Sequence, residues 1–269
     1  MNLKKVGHRI LALSLSLALA LSSAFAMPEA SYAAGRFSDT AGHWAEQFIS
    51  RAYNLNIVSG YPTGKFMPDK AVTRAEFVSM INSALDLNSS SYFNTDLKDV
   101  LAGQWYYRDV TAAMTAGYAG GYSDNTFRPN NYISRQEAAV MLARVIPDFK
   151  GKGSLKSFKD YRQVAQWAAA AMEKMNGRQY MGAYSDGRLH PADPLTRAQT
   201  AKILCDILDN ETIEKTDKIV DENNTKLTER VYVGDVVIDE DLGEGNATID
   251  NCVILGTLYV EGGGSKSVT

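Results

Sequence analysis

The order of apolar and polar positions divides the chain into a long helical stretch and a shorter strand-rich one. Apolar residues recur at i, i+3, i+4, i+7 and i+8 three times: Phe77, Met80, Ile81, Ala84 and Leu85; Ala138, Met141, Leu142, Val145 and Ile146; and Thr200, Ile203, Leu204, Ile207 and Leu208. That spacing predicts three amphipathic helices with one buried face each. A shorter helical pattern of about three turns precedes each of them. It runs through Phe48, Ile49, Ala52 and Leu55, then Val110, Ala113 and Met114, then Ala171, Met172 and Met175. Between the two helices of each pair lie glycine-rich breaks, Ser59-Gly60-Tyr61, Gly120-Gly121-Tyr122 and Gly182-Ala183-Tyr184, followed by tight-turn residues. The fold class is therefore mainly α: three helix–loop–helix repeats, with a short β-rich segment behind them. Glu211 to Leu227 is polar and reads as a linker or frayed helix. From Val231 the pattern changes to β-branched runs, Val231–Val233, Val236–Ile238, Ala247–Ile249, Cys252–Ile254 and Thr257–Val260, separated by polar and glycine breaks. Short strands at close spacing resemble the first coils of a β-solenoid, and about three coils are needed for stability, so this segment reads as incomplete.

The helical part is an internal repeat. Its three tryptophans, Trp44, Trp105 and Trp167, each stand 17 residues before a tyrosine, Tyr61, Tyr122 or Tyr184. Each tyrosine is 7 residues before a proline (Pro68, Pro129, Pro191), and each proline 5 before a hydroxyl residue (Thr73, Ser134, Thr196). Phe37-x-Asp39, Leu97-x-Asp99 and Phe158-x-Asp160 open the copies, and length varies only between that Asp and the Trp. The second helices begin Thr73-Arg74-Ala75-Glu76, Ser134-Arg135-Gln136-Glu137 and Thr196-Arg197-Ala198-Gln199. A hydroxyl residue followed three positions on by Glu or Gln is a capping box, so Thr73 with Glu76, Ser134 with Glu137 and Thr196 with Gln199 should hold the helix starts. Each start also carries an arginine beside unpaired backbone N–H groups and the positive end of the helix dipole, an arrangement suited to an anion. Arginine at a helix start opposes the dipole, which weighs against a purely structural role.

Charge and cysteine usage narrow the class. Lys4, Lys5 and Arg9 followed by the apolar run Ile10–Leu21 and the small-x-small sites Ala24-Phe25-Ala26 and Ser31-Tyr32-Ala33 form a secretory leader, assigned to residues 1–33 and too short for a membrane anchor. Losing those three basic residues takes the net charge from −3 to about −6, and with no basic stripe nucleic acid is a poor partner. Cys205 and Cys252 fall in different segments and three scattered histidines make no metal cluster; no cofactor or metal is expected, and both cysteines read as small buried residues. The predicted organisation is a leader to residue 33, repeats over 35–94, 95–155 and 156–210, a linker over 211–228 and the β-rich segment over 229–269.

The Phe-x-Asp opening, the tryptophan, the Gly-Tyr-x-Asp-Gly-x-Phe-x-Pro loop and the Thr-Arg-Ala-Glu helix start resemble the S-layer homology (SLH) domain over residues 36 to about 210. The resemblance implies a three-lobed bundle with pseudo-threefold symmetry, and a non-enzymatic role: anchoring a secreted protein at the cell wall or S-layer surface. It implies as partner a secondary cell wall polysaccharide carrying pyruvylated N-acetylmannosamine, held in grooves between lobes, with S-layer lattice partners as a further possibility and no membrane insertion. Arg74, Arg135 and Arg197 would then pair with the ketal carboxylate, which a guanidinium can grip bidentately. Trp44, Trp105, Trp167, Tyr61, Tyr122 and Tyr184 would offer the sugar flat apolar surface. The residues alone leave the aromatics open: one tryptophan per repeat is more often core than ligand platform, and the tyrosines balance between the two. Copy one has Thr63 where the others have Asp124 and Asp186, copy two has Gln136 for Ala, and copy three has Ala183 for Gly and ends its motif in Gln199, so fewer than three fully competent grooves are expected. The alternative reading is a tethered polysaccharide-degrading enzyme whose catalytic β-helix lies mostly beyond Thr269.

Overall fold

The computed structural model describes residues 37–87, 95–151 and 153–263; the leader assigned to 1–33 lies outside the described residues. Six helices are formed: α1 (Glu46–Asn54), α2 (Arg74–Leu85), α3 (Tyr107–Thr115), α4 (Arg135–Arg144), α5 (Ala169–Gly177) and α6 (Arg197–Asn210). The even-numbered helices bury the stripe that their spacing predicts, from Phe77 to Leu85, Ala138 to Leu142 and Thr200 to Ile207. Each starts at a capping box: the Thr73, Ser134 and Thr196 hydroxyls accept from the N–H of Glu76, Glu137 and Gln199, whose side chains accept in return from the cap backbone. The odd-numbered helices are shorter than three turns, and Leu55, expected on the α1 apolar face, falls past the helix end and is exposed.

Helix pairing crosses the repeats. The most extensive helix contacts set α2 against α3, α4 against α5, and α6 back against α1. A repeat of this length buries too little by itself, and here its long helix finds its main partner in the next repeat. The backbone follows the same cycle. Arg74 and Ala75 N–H donate to the carbonyls of Asn131 and Pro129, Arg135 and Gln136 to those of Asp193 and Pro191, and Arg197 and Ala198 to those of Lys70 and Pro68. Repeat 1 thus leans on repeat 2, 2 on 3, and 3 on 1.

Within each repeat the opening aspartate ties the loop. Asp39 accepts from the N–H of Phe66 and Met67, Asp99 from Phe127 and Arg128, and Asp160 from Leu189 and His190, at 2.7 to 2.8 Å. Met67, Arg128 and His190 all sit at φ between 50° and 58°. The two carboxylate oxygens stabilise a backbone turn that non-glycine residues otherwise avoid, and so drop Phe66, Phe127 and Leu189 into the core.

The segment read as a linker is a correction: it forms strands β1 (Thr212–Glu214), β2 (Lys218–Val220) and β3 (Thr225–Thr228). They were illegible as strands because each is only three or four residues long and their stability comes from pairing with later ones. The later strands are β4 (Arg230–Tyr232), β5 (Val236–Ile238), β6 (Ala247–Asp250), β7 (Val253–Ile254) and β8 (Leu258–Val260). Three parallel sheets result, in the orders β1-β4-β7, β2-β5-β8 and β3-β6, with registers Thr212↔Arg230, Lys218↔Val236 and Thr225↔Ala247. At the corner between β4 and β5, a Cβ on Gly234 would lie 2.4 Å from Asp217 Oδ1, and one on Gly256 would lie 2.4 Å from the Gly234 carbonyl; the turns stack too closely for a side chain.

Period-two alternation in β4 sends its residues to two cores. Val231 and Val233 join the helical core, with Leu255, while Tyr232 joins Val220, Val236 and Leu242 inside the strand region. Arg178 adds a polar tie: it pairs with buried Glu211 at 2.8 Å and donates to the carbonyls of Pro147 and Asp148. Asp148 and Asn251 exchange two hydrogen bonds, at 2.7 and 3.0 Å. The strands are packed onto the helices rather than strung from them. Cys205 is buried, which pushes its thiol up to about 11, whereas Cys252, expected inside, is only half-buried. Among the described residues no helix is long and apolar enough to cross a membrane.

Candidate functional site

The helix-start arginines are nearly inaccessible, at 4%, 5% and 6% exposure for Arg74, Arg135 and Arg197. Each reaches into the next repeat. Arg74 donates through Nε to the Phe127 carbonyl and through Nη2 to that of Gly120. Arg135 does the same to Leu189 and Gly182, and Arg197 to Phe66 and Ser59. The guanidiniums also lie over aromatic faces: Arg74 over Tyr122 and Phe127, Arg135 over Tyr184, Arg197 over Tyr61 and Phe66, with distances of 4.4 to 4.9 Å. These contacts correct the expectation of helix starts with free donors. The first two N–H groups of each long helix are taken by the next repeat and the third by the cap, and two guanidinium edges hold carbonyls. An arginine that opposes its own helix dipole is accommodated because it bonds outward, across a repeat boundary.

The tryptophans are the second correction. Core is the weightier reading of their spacing, yet Trp44, Trp105 and Trp167 are 57%, 59% and 60% exposed. Their constant position places each at the start of a short helix, with its indole outside.

Two grooves bring these groups together, each drawing on all three repeats. One, of about 470 Å³, is lined by Arg197, the Ser59–Tyr61 loop, Glu76, Ser79 and Ser83 of α2, and Trp105. The other, of about 450 Å³, is lined by Arg135, the Met181–Tyr184 loop, Gln199 and Lys202 of α6, and Trp44. The order is the same in both: arginine from the preceding repeat, glycine loop and long helix from one repeat, tryptophan from the following one. The third position is different. A depression of about 710 Å³ holds Trp167 with Val140, Arg144, Phe149 and Lys174, but neither Arg74 nor Tyr122 lines it.

Local electrostatics also separate the three. Beside Arg74, Glu137 Oε1 stands 3.5 Å from Nη1 and accepts from the Tyr122 hydroxyl. Burial and this hydrogen bond push Tyr122 up to about 12. Burial alone would raise Glu137, but hydrogen bonds from Ser134 and Tyr122, with Arg74 nearby, hold its carboxyl below the usual range. Tyr61 accepts from Lys70 at 2.8 Å and lies 3.4 Å from Glu76 Oε1. Tyr184 instead accepts from Gln199 Nε2, at 2.8 Å. Burial draws Arg74 and Arg135 below the ordinary arginine value, opposed by Tyr122 and Glu137 in the first case and by Tyr184 in the second.

The repeat-opening aspartates hold the loops that carry Phe66, Phe127 and Leu189, a role that the sequence pattern left unassigned. Their place at the opening of every copy was a usable signal: Asp39, Asp99 and Asp160 precede the first N–H they bind by 27, 28 and 29 residues. No group of three or more metal-ligating side chains is gathered among the described residues.

Comparison with known proteins bears on what such grooves do. The S-layer homology domain family matches residues 36–78, 96–139 and 157–201, so the chain carries three SLH repeats. It is 30% identical to the "Surface-layer 125 kDa protein" of Lysinibacillus sphaericus over 218 residues, 79% of this chain and 18% of that protein. It is 35% identical to the "Cellulosome-anchoring protein" of Acetivibrio thermocellus over 130 residues, 47% of this chain and 29% of that protein. An "Endoglucanase" of a Bacillus species matches 61% of this chain at 30% identity, over 18% of its own length. The chain thus spans less than a third of each of these relatives.

Proposed function

We propose that this chain, as a carrier of three S-layer homology repeats, anchors a secreted protein non-covalently at the cell surface by binding a secondary cell wall polysaccharide in the grooves between its repeats. The observation that carries the reading is the exposed tryptophan set opposite a buried arginine and a glycine loop in two separate grooves. An exposed indole is costly to leave in water and is a ready platform for a sugar ring. A groove of this size admits a mono- or disaccharide, and the guanidinium at its base favours one that bears a carboxylate. A pyruvate ketal on N-acetylmannosamine meets both demands. The SLH repeats and the surface-layer and cellulosome-anchoring relatives support the coarser statement, attachment at the cell surface.

The cyclic contacts of α2, α4 and α6 support a pseudo-threefold bundle, and the recurrence of three parallel strands in fixed order supports the opening of a β-solenoid over 212–260. In this reading the chain's own contribution is binding rather than catalysis. The endoglucanase relative fits a tethered enzyme only through its anchoring part.

The test is sedimentation of the purified protein with cell walls. Walls that retain their secondary polymer should carry it down, and walls stripped of that polymer should leave it in solution. Equal sedimentation with both would remove polysaccharide recognition as the function.

A further inference from the structure

The strand region carries a face that neither core uses. Sheet β2-β5-β8 turns Val220, Val236 and Ile238 inward, and period-two alternation turns Ile219, Val237 and Tyr259 outward. The parallel register sets these three side by side, Ile219 against Val237 and Val237 against Tyr259. None of them belongs to either core or packs against one, and Ile219 and Tyr259 are 55% and 44% exposed. Carboxylates border the row on both sides. Asp217 and Asp235 stand two residues before it, and Asp221, Asp239 and Glu261 two residues after it. The first column is a ladder: the Asp235 N–H donates to Asp217 Oδ1 at 2.8 Å and the Thr257 N–H to Asp235 Oδ1 at 2.7 Å. In the second column Asp239 holds the following turn through the Asp241 N–H. Among the described residues none of the five carboxylates forms an ion pair. The wider charge distribution has the same sense. Residues 212–263 hold twelve acidic against four basic residues, a net of −8, whereas residues 37–210 hold seventeen against nineteen, a net of +2.

An exposed apolar row rimmed by polar groups marks an interaction site, and like charges opposite each other on paired strands cost stability. One kind of partner relieves both. We propose that the outer face of β2-β5-β8 docks a basic amphipathic helix of a partner protein, with its apolar residues on the Ile219–Val237–Tyr259 row and its lysines or arginines over the two acidic columns. Adjacent strands lie about 4.8 Å apart, so the row is about 9.6 Å long. Helix positions i, i+3 or i+4, and i+7 cover about 10.5 Å, a close match. An extended segment repeats the same face only every ~6.8 Å and falls out of step with the row. The acidic columns lie about 6.6 Å to either side, within reach of basic side chains on the flanks of a helix about 10 Å wide. An anionic polymer is repelled by this face, so it and the grooves of the helical region take different partners.

Fluorescence anisotropy of the full chain with a labelled three-heptad peptide tests this. The peptide has leucine at a and d, lysine at e and g, and alanine or glutamine elsewhere; its control has glutamate in place of lysine. The lysine peptide should bind and the glutamate peptide should not. Ile219→Asn with Tyr259→Asn should abolish binding, while circular dichroism and sedimentation with cell walls stay as in wild type, because both side chains are exposed. Asp221→Asn with Glu261→Gln should weaken binding about three- to tenfold and flatten its dependence on salt. Asp96→Asn with Glu173→Gln removes the same charge from the helical region and should leave affinity unchanged. Binding that survives the Ile219 and Tyr259 replacements, an equal loss with the Asp96 and Glu173 pair, or a lysine peptide that does not bind at all would overturn the proposal. Sedimentation velocity of the wild type covers the remaining outcome. A dimer that Tyr259→Asn dissolves would make a second copy the occupant of this face and would overturn the helical partner.

Discussion

Replacing Arg197 by alanine should destabilise the whole helical domain, because this side chain is a buried part of the seam that closes the cycle between the last repeat and the first. Its Nε and Nη2 donate to the carbonyls of Phe66 and Ser59, at 2.9 and 2.7 Å, across 131 and 138 residues of chain. A hydrogen bond from a charged donor contributes about 1.5–3 kcal/mol, and truncation also leaves two inward carbonyls without a donor. The loss should therefore be about 4 kcal/mol, a large part of the 5–15 kcal/mol that typically holds a domain together. For a domain of this size that corresponds to a fall of about 8–16 °C in Tm. Lysine at the same position can reach one carbonyl and not both, so Arg197→Lys should lose roughly half as much. Arg51 provides the internal control. It also joins repeat 1 to repeat 3, through a paired contact with Asp209, but does so at the surface, where such a pair contributes at most about 1 kcal/mol. Thermal unfolding followed by circular dichroism, with urea titration to show that m is unchanged, measures all three. A fall below about 3 °C for Arg197→Ala, or one no larger than for Arg51→Ala, would refute the reasoning that the buried arginines are ties between repeats. The same logic means that a triple replacement of Arg74, Arg135 and Arg197 confounds binding with unfolding and is a poor test of recognition.

Asp160→Ala should cost about 3 kcal/mol in urea unfolding, since it strips the carboxylate from the buried N–H of Leu189 and the part-buried N–H of His190 and frees a turn at positive φ. Trp44→Ala and Trp105→Ala should each change stability by less than about 0.5 kcal/mol, because the indoles are exposed; a drop in Tm above about 5 °C would put them back in the core. Stability should be level above about pH 5 and fall in acid, since Glu137, held below its usual value, stabilises the fold above its unfolded pKa and stops doing so as pH drops through its folded one. Glu137→Gln should make that acid decline shallower in Tm measured from pH 3 to 7, and an unchanged slope would place the sensitivity elsewhere.

Much of this architecture was written in local chemistry. Three capping boxes, three apolar stripes and a tryptophan-to-tyrosine spacing that never varies specify helix, loop and helix because each depends on residues a few positions apart. Even the glycine loops and their prolines could be placed from backbone preferences alone. The strands after Val231 were visible for the same reason, whereas β1 to β3 were not: their pairing partners lie a full turn of the chain away, and at three or four residues each among polar neighbours they are too short to show a period. The roles of the site residues were decided by the cycle of repeats. Arg135 looks like a free cation in its own helix and becomes a buried tie once the Leu189 and Gly182 carbonyls arrive from the next repeat. Trp44 looks like core and becomes groove wall because the helix behind it is filled by Ile49 and Ala52 and leaves the indole outside, facing the loop of repeat 3. Spacing along a chain fixes what a residue can do locally; which carbonyl, ring or solvent stands opposite it depends on closure of the ring of repeats, and that exists only once the chain has folded.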